Sequence, residues 1–205
     1  MPGPLAAEEL QLTTRAGEVL ADLECLQGSW TPEQYARLTA ATNHLIEFTA
    51  GRLDVLPPPT ERHHAIVRAL FRALDTLMQA TGGTVFFAGL PLLIGPGKFR
   101  TPDLLLLRDA RDRRRDPACW LGADLVVEVV GSGGRARDTV TKVADYSEAG
   151  IREYWIVDPR AEMITVLRPA EPEDRLHGLF GRGEIATSAL LPGFAVSVDA
   201  VLDAP

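Results

Sequence analysis

Leu125-Val126-Val127-Glu128-Val129-Val130 is a six-residue apolar run interrupted once, by an acid. A short continuous run of this kind suits a strand covered on both faces, as in sheets flanked by helices, rather than one with a face open to water. The residues that follow support that reading. Arg137–Ala149 has helical spacing and stops at Gly150, and Ile151–Val157 is a second strand leading to a turn at Asp158-Pro159. Strand, helix, strand is the unit of an α/β fold. The expectation is an α/β outline: a mixed central β-sheet flanked by helices.

Working outward, Val85–Ala88, Leu90–Ile94 and Pro102–Leu107 read as strands before the decisive run, and Met163–Leu167 as its hairpin partner after it. Weaker strands lie around Gly178–Ile185 and Phe194–Val198. Thr60 is placed to cap a long helix whose Ile66, Val67, Leu70, Phe71, Leu74, Leu77 and Met78 share one face, and Gly82-Gly83 ends it. His44–Phe48 and Arg52–Leu56 flank Thr49-Ala50-Gly51 as a hairpin, which Pro57-Pro58-Pro59 closes to further pairing. Thr31, Pro32 and Gln34 form a capping-box signature for a short helix reaching about Ala41. Residues 1–29 stand apart as an N-terminal extension with weak helical spacing over Ala6–Leu26, and residues 30–202 form one domain.

The chain has 205 residues, 46% hydrophobic and 24% charged, enough for a sizeable core. No apolar run approaches the ~20 residues that span a membrane. The opening Met-Pro-Gly-Pro lacks a basic, then apolar, signal pattern, and two cysteines exclude a disulfide framework, so a cytoplasmic protein is expected. Net charge is −7, which argues against simple electrostatic binding of nucleic acid, yet residues 52–142 carry fourteen Lys and Arg against ten acids.

Two acids stand out because apolar sequence surrounds them. Asp103 opens Leu104-Leu105-Leu106-Leu107, and Glu128 interrupts the run quoted first. A carboxylate in such a place persists only if paired, hydrogen-bonded or bound to a metal. A structural salt bridge with an arginine is one solution; oxygen ligands for Mg²⁺ or Mn²⁺ are the other. Asp138, Lys142 and Tyr146 follow at four-residue intervals along one helix face. Lys142 is one of two lysines, with Lys98, against nineteen arginines, which hints that a compact ammonium is wanted there. An ordinary Asp138–Lys142 surface pair explains the spacing equally well.

Thr31-Pro32-Glu33-Gln34-Tyr35, Leu45-Ile46-Glu47 with Gly51-Arg52-Leu53, Pro57–Pro59 with His63, Pro102-Asp103, Val127-Glu128-Val129-Val130, Asp138 with Lys142 and Tyr146, Gly150–Pro159 and Leu191-Pro192-Gly193-Phe194 occur in that order. From Trp30 to Leu202 this set resembles the Uma2 family of restriction endonucleases, within the PD-(D/E)XK nuclease superfamily. The resemblance implies a Mg²⁺- or Mn²⁺-dependent endonuclease acting on DNA, with a homodimer expected by analogy. It implies a restriction-endonuclease-like fold, with Asp103 and Glu128 as metal-holding catalytic acids and Glu47 as a third acid completing the metal shell or contacting a second ion. Lys142 would be the catalytic cation, orienting water or offsetting charge at phosphorus. Val130 stands where the superfamily places its lysine, so the cation is displaced to the following helix, with Arg100, Arg135 and Arg137 as substitutes or substrate contacts. His63 is a further substrate-contact candidate. Gly131-Ser132-Gly133-Gly134 departs from the family's Ser and Pro at that place.

Two other readings fail. Gly131-x-Gly133-x-x-Ala136 after a strand matches a dinucleotide fingerprint, but it comes late and leads to a hairpin instead of another crossover. A glycosidase carboxylate pair lacks aromatic sugar platforms. The competing function is a degenerate nuclease fold that binds nucleic acid or a protein without cutting.

Overall fold

The structure is a computed structural model that describes residues 11–13, 16–17, 19–22, 24–131, 136–171, 173 and 175–205, with 11–13, 19–22 and 136–140 described by backbone alone. The chain begins with an antiparallel ribbon, β1 (Gln11–Thr13) and β2 (Val19–Asp22), and a 3₁₀ turn over Glu24–Leu26. The helical extension expected over Ala6–Leu26 is therefore not formed in the described residues. Gly17, at φ 85°, makes a turn that a continuous helix would forbid. The N-terminal helix is α1 (Pro32–Ala41), where Thr31 Oγ1 accepts from the Gln34 amide and Gln34 Oε1 from the Thr31 amide, the expected reciprocal cap.

β3 (Ile46–Thr49) and β4 (Arg52–Val55) are joined by Ala50-Gly51, whose φ angles of 46° and 85° are the paired positive values of a tight hairpin turn. α2 (Glu61–Thr81) starts under the Thr60 cap and ends at Gly82, φ 83°. Its Ile66, Leu70, Leu74 and Met78 are at most 2% exposed. There follow β5 (Thr84–Phe87), β6 (Leu92–Gly95), β7 (Lys98–Arg100), β8 (Leu104–Leu107), β9 (Leu125–Val129), α3 (Ala136–Glu148), β10 (Glu153–Asp158) and β11 (Met163–Leu167). β12 (Leu176–Gly181), β13 (Ile185–Thr187), β14 (Ala195–Ser197) and α4 (Val198–Leu202) complete the chain.

The main sheet has the order β12-β11-β10-β9-β8-β5, with β9 and β10 parallel and the other pairs antiparallel. α3 is the crossover between the parallel pair. A second sheet runs β4-β3-β7-β6. β7 was not expected: three residues give little local signal, and its place comes from pairing with β3 and β6. The single strand expected around Gly178–Ile185 is two strands, β12 and β13, with Gly183 at φ 79° in the turn between them.

Alternation along β8 and β9 explains the apolar runs. Leu104, Leu106, Val127 and Val129 pack with α2 and the C-terminal Phe194 and Val198. Leu105, Leu107 and Val126 pack on the other face with Leu92, Tyr146, Tyr154 and Ile156. With both faces covered, no position in the strand is free to be polar without cost. By parity Glu128 shares the second face with Val126. No helix among the described residues is long and apolar enough to cross a membrane.

Candidate active site

β8 and β9 pair with Leu104 opposite Val127, so the residues just beyond, Asp103 and Glu128, meet at one end of that strand pair. Four other elements converge there: the first turn of α2 with His63, β3 with Glu47, α3 with Lys142 and Tyr146, and β10 with Tyr154. Asp103, Glu128, Lys142, His63 and Tyr154 line one cavity of about 240 Å³. One of its walls is apolar, made by Leu45, Leu56 and Pro57-Pro58-Pro59.

The polar contacts divide each acid into a tethered and an open oxygen. Asp103 Oδ2 accepts from the Val129 amide at 2.7 Å and lies 3.1 Å from His63 Nε2. Glu128 Oε1 accepts from Lys142 Nζ at 2.9 Å and from the Tyr146 hydroxyl at 2.7 Å. Asp103 Oδ1 and Glu128 Oε2 have no hydrogen-bond partner among the described residues. His63 Nδ1 is buried without a partner, so the ring's only polar contact is the one with Asp103. His63 thus fixes the acid from within the cavity lining.

Glu47 takes a different position from the one expected. It is 6% exposed, does not line the cavity, and lies with Oε1 3.1 Å from Lys142 Nζ. The Thr101 amide donates to the same oxygen at 3.4 Å, and Arg100 Nε is 3.8 Å from Oε2. Glu47 therefore clamps Lys142 from behind instead of completing a metal shell. The Lys142 side chain is 13% exposed and held between Glu47 and Glu128; the Asp138 side chain lies outside the described residues.

Arg100 is likewise corrected as a substrate contact. It is buried, and its guanidinium is spent on Asp145 (Nη2 at 2.6 Å, Nε at 3.0 Å), on Thr49 Oγ1 and on the carbonyls of Phe48 and Phe99. Lys98 reaches Asp145 from the other side at 2.8 Å. Together they bind the second sheet to α3, and so set the distance between Glu47 and Lys142. Arg135, the side chain of Arg137 and residues 132–134 lie outside what the structure describes. Asp145 and Tyr154 escaped notice as site residues because the groups they meet are far away in sequence, whereas Tyr146 is singled out by its place on the helix face with Lys142.

Two carboxylates, Glu47 and Glu128, flank the Lys142 ammonium, and Asp103 is close enough to act on Glu128. Burial pushes the Glu128 carboxyl up to about 7; Lys142 pulls it down and Asp103 and Glu47 push it up again. Burial disfavours the Lys142 ammonium, but Glu128 and Glu47 outweigh it and hold its pKa above the usual lysine value. For His63, burial is outweighed by the Asp103 hydrogen bond and by the charges of Asp103 and Glu128, which raise the pKa. Among the described residues no group of three or more His, Cys, Asp or Glu is arranged to hold a metal ion. Mg²⁺ does not need one, since it commonly keeps several waters and takes one or two carboxylates together with substrate phosphates. Two open carboxylate oxygens in one cavity fit that pattern.

A comparison with curated proteins returns no match. Among solved structures, the chain is similar to a crystal structure described as a putative nuclease belonging to DUF820 from Anabaena variabilis. The TM-score is 0.66 at 16% identity, covering 77% of this chain and 89% of that one, a likeness of fold. The family model Uma2, described as "Putative restriction endonuclease", matches residues 32–199. With that match over most of its length, the chain belongs to the Uma2 family, within the PD-(D/E)XK nuclease superfamily.

Proposed function

We propose that the protein is a DNA endonuclease that hydrolyses phosphodiester bonds with a divalent cation, Mg²⁺ or Mn²⁺, held by Asp103 and Glu128. The observation that carries this reading is the pair of open oxygens, Asp103 Oδ1 and Glu128 Oε2, in one cavity beside a clamped ammonium. A cation bound there supplies Lewis-acid charge to the scissile phosphate and makes water a stronger nucleophile near neutral pH.

The chain's own residues do the rest. His63 and the Val129 amide hold Asp103 in one rotamer, and Lys142 with Tyr146 holds Glu128. The Lys142 ammonium has three N–H donors, of which two are directed at Glu128 and Glu47. The third is available to the substrate, where it offsets negative charge that grows at the phosphate in the transition state. The apolar proline wall keeps water from competing for these contacts. Arg62 and Arg160 also line the cavity and give the phosphate backbone a cationic approach.

The test is cleavage of supercoiled plasmid and of short single- and double-stranded oligonucleotides with Mg²⁺, with Mn²⁺ and with EDTA. Cleavage that requires the cation and is lost in Asp103→Asn supports the reading. Binding without cleavage across the panel would instead favour a non-cutting nucleic-acid module.

A further inference from the structure

Tyr154 presents an anomaly that the metal and lysine roles leave unused. The residue is 1% exposed and sits on β10, its ring edge-on to Tyr146 at 4.9 Å. The two hydroxyls differ sharply. That of Tyr146 donates to Glu128, whereas that of Tyr154 has no hydrogen-bond partner among the described residues, and the residue lines the cavity. Its ring is buried, but the hydroxyl oxygen opens to the cavity, where water or a ligand can be its partner.

The surroundings say what that partner is. Tyr154 shares its sheet face with Glu128, two strands' side chains meeting where β10 pairs with β9 and Ile156 stands opposite Glu128. Glu128 and Asp103 line the same cavity and both act electrostatically on the phenol, so acceptors stand near the hydroxyl. Burial first, then the charges of Glu128 and Asp103, hold the phenol well above its usual pKa, so it keeps its proton. That excludes a nucleophilic phenolate or a general base and leaves a neutral donor. A neutral donor beside two anions is suited to a ligand oxygen that is itself anionic and arrives with its own counter-ion.

We propose that Tyr154 is a substrate-contacting residue, its hydroxyl donating to a non-bridging oxygen of the phosphodiester that enters the cavity. This rests on the nuclease reading above and adds a donor to it: Lys142 approaches the phosphate from α3, Tyr154 from β10. No bond is made or broken by Tyr154, and its proton stays on the phenol throughout.

Tyr154→Phe tests the idea, because it removes one oxygen atom with no protein partner. Three readouts are compared with the parent protein: melting without metal, affinity for a labelled oligonucleotide in Ca²⁺, and single-turnover cleavage in Mg²⁺. The expected result is a melting temperature unchanged or slightly raised, weaker oligonucleotide binding, and cleavage slower by about 100-fold, the scale of losing one preorganised donor to a developing oxyanion. Tyr146→Phe, which deprives Glu128 of a donor, should by contrast lower the melting temperature. Loss of several degrees in Tyr154→Phe would show that its hydroxyl has a structural partner and overturn the proposal. So would binding and cleavage both equal to those of the parent. A parent that neither binds nor cuts any nucleic acid overturns the nuclease reading and this proposal with it; a parent that cuts as fast with phenylalanine at position 154 overturns this proposal alone.

Discussion

At the scale of single residues, the site turns on how two acids are made to share a small volume with one ammonium. Asp103 and Glu128 were legible from sequence because each breaks an apolar run, and a lone carboxylate there demands an explanation. Their tethers were not legible: His63 is 40 residues from Asp103, and Val129 is 26. Lys142→Ala is expected to slow metal-dependent cleavage by at least ~100-fold while Mn²⁺ binding survives. Lys142→Arg should restore little, since a forked guanidinium does not fit between Glu47 and Glu128 as a compact ammonium does. Single-turnover rates check both; equal cleavage by the alanine variant would make Lys142 merely the counter-ion of Glu128.

Glu128 also makes stability depend on pH. Its folded pKa, about 7, is raised above the ordinary glutamate value, so between the two the folded state binds more protons than the unfolded state. This group therefore makes the metal-free protein less stable as pH rises through that window, with the loss complete above the folded value. Thermal melts of parent and Glu128→Gln without metal, at pH 5 and pH 8, isolate the effect. The parent should lose more stability than the variant between the two; parallel curves would show that Glu128 is ionised throughout.

At the scale of elements, caps and periodicity were the readable parts. Thr31 and Thr60 start their helices, Gly82 ends α2, and the four-residue spacing from Ile66 to Met78 marks the buried stripe. What failed to show was structure made by distant pairing: β7, the β1–β2 ribbon, and the seam that attaches the C-terminal segment to β10. That seam depends on Glu153, which is fully buried. Its carboxylate accepts from Trp155 Nε1, Ser188 Oγ and the amides of Ala189 and Leu190. In sequence it was one more acid in Gly150–Pro159, and nothing local separates this structural carboxylate from the two at the cavity; only its saturation with four donors does. Glu153→Ala should cost about 3–5 kcal/mol, the scale of breaking a buried charged network, measured by urea unfolding. A change under about 1 kcal/mol would mean the C-terminal segment holds without it.

At the scale of the whole molecule, residues just before the boundary expected at Trp30 contact the domain. Gln27 exchanges two hydrogen bonds of 2.8 Å with the backbone of Leu53, and the amides of Gly28 and Trp30 both donate to Gly51. These contacts finish the exposed edge of β4, a task that neither composition nor the capping signals reveal. A chain starting at Glu24 should unfold in urea like the full protein, whereas one starting at Trp30 should be weaker by about 1–2 kcal/mol, the net value of one or two hydrogen bonds. Equal midpoints for all three would return the boundary to Trp30.

The most direct measurement is calorimetric titration of Mn²⁺ into the full protein beside Asp103→Asn and His63→Ala. The account predicts one site in the parent. It predicts binding lost in Asp103→Asn with the fold intact, and weakened by about 10-fold or more in His63→Ala, as expected when the group that orients a metal-holding carboxylate is removed. Mn²⁺ affinity in Asp103→Asn equal to that of the parent would contradict it.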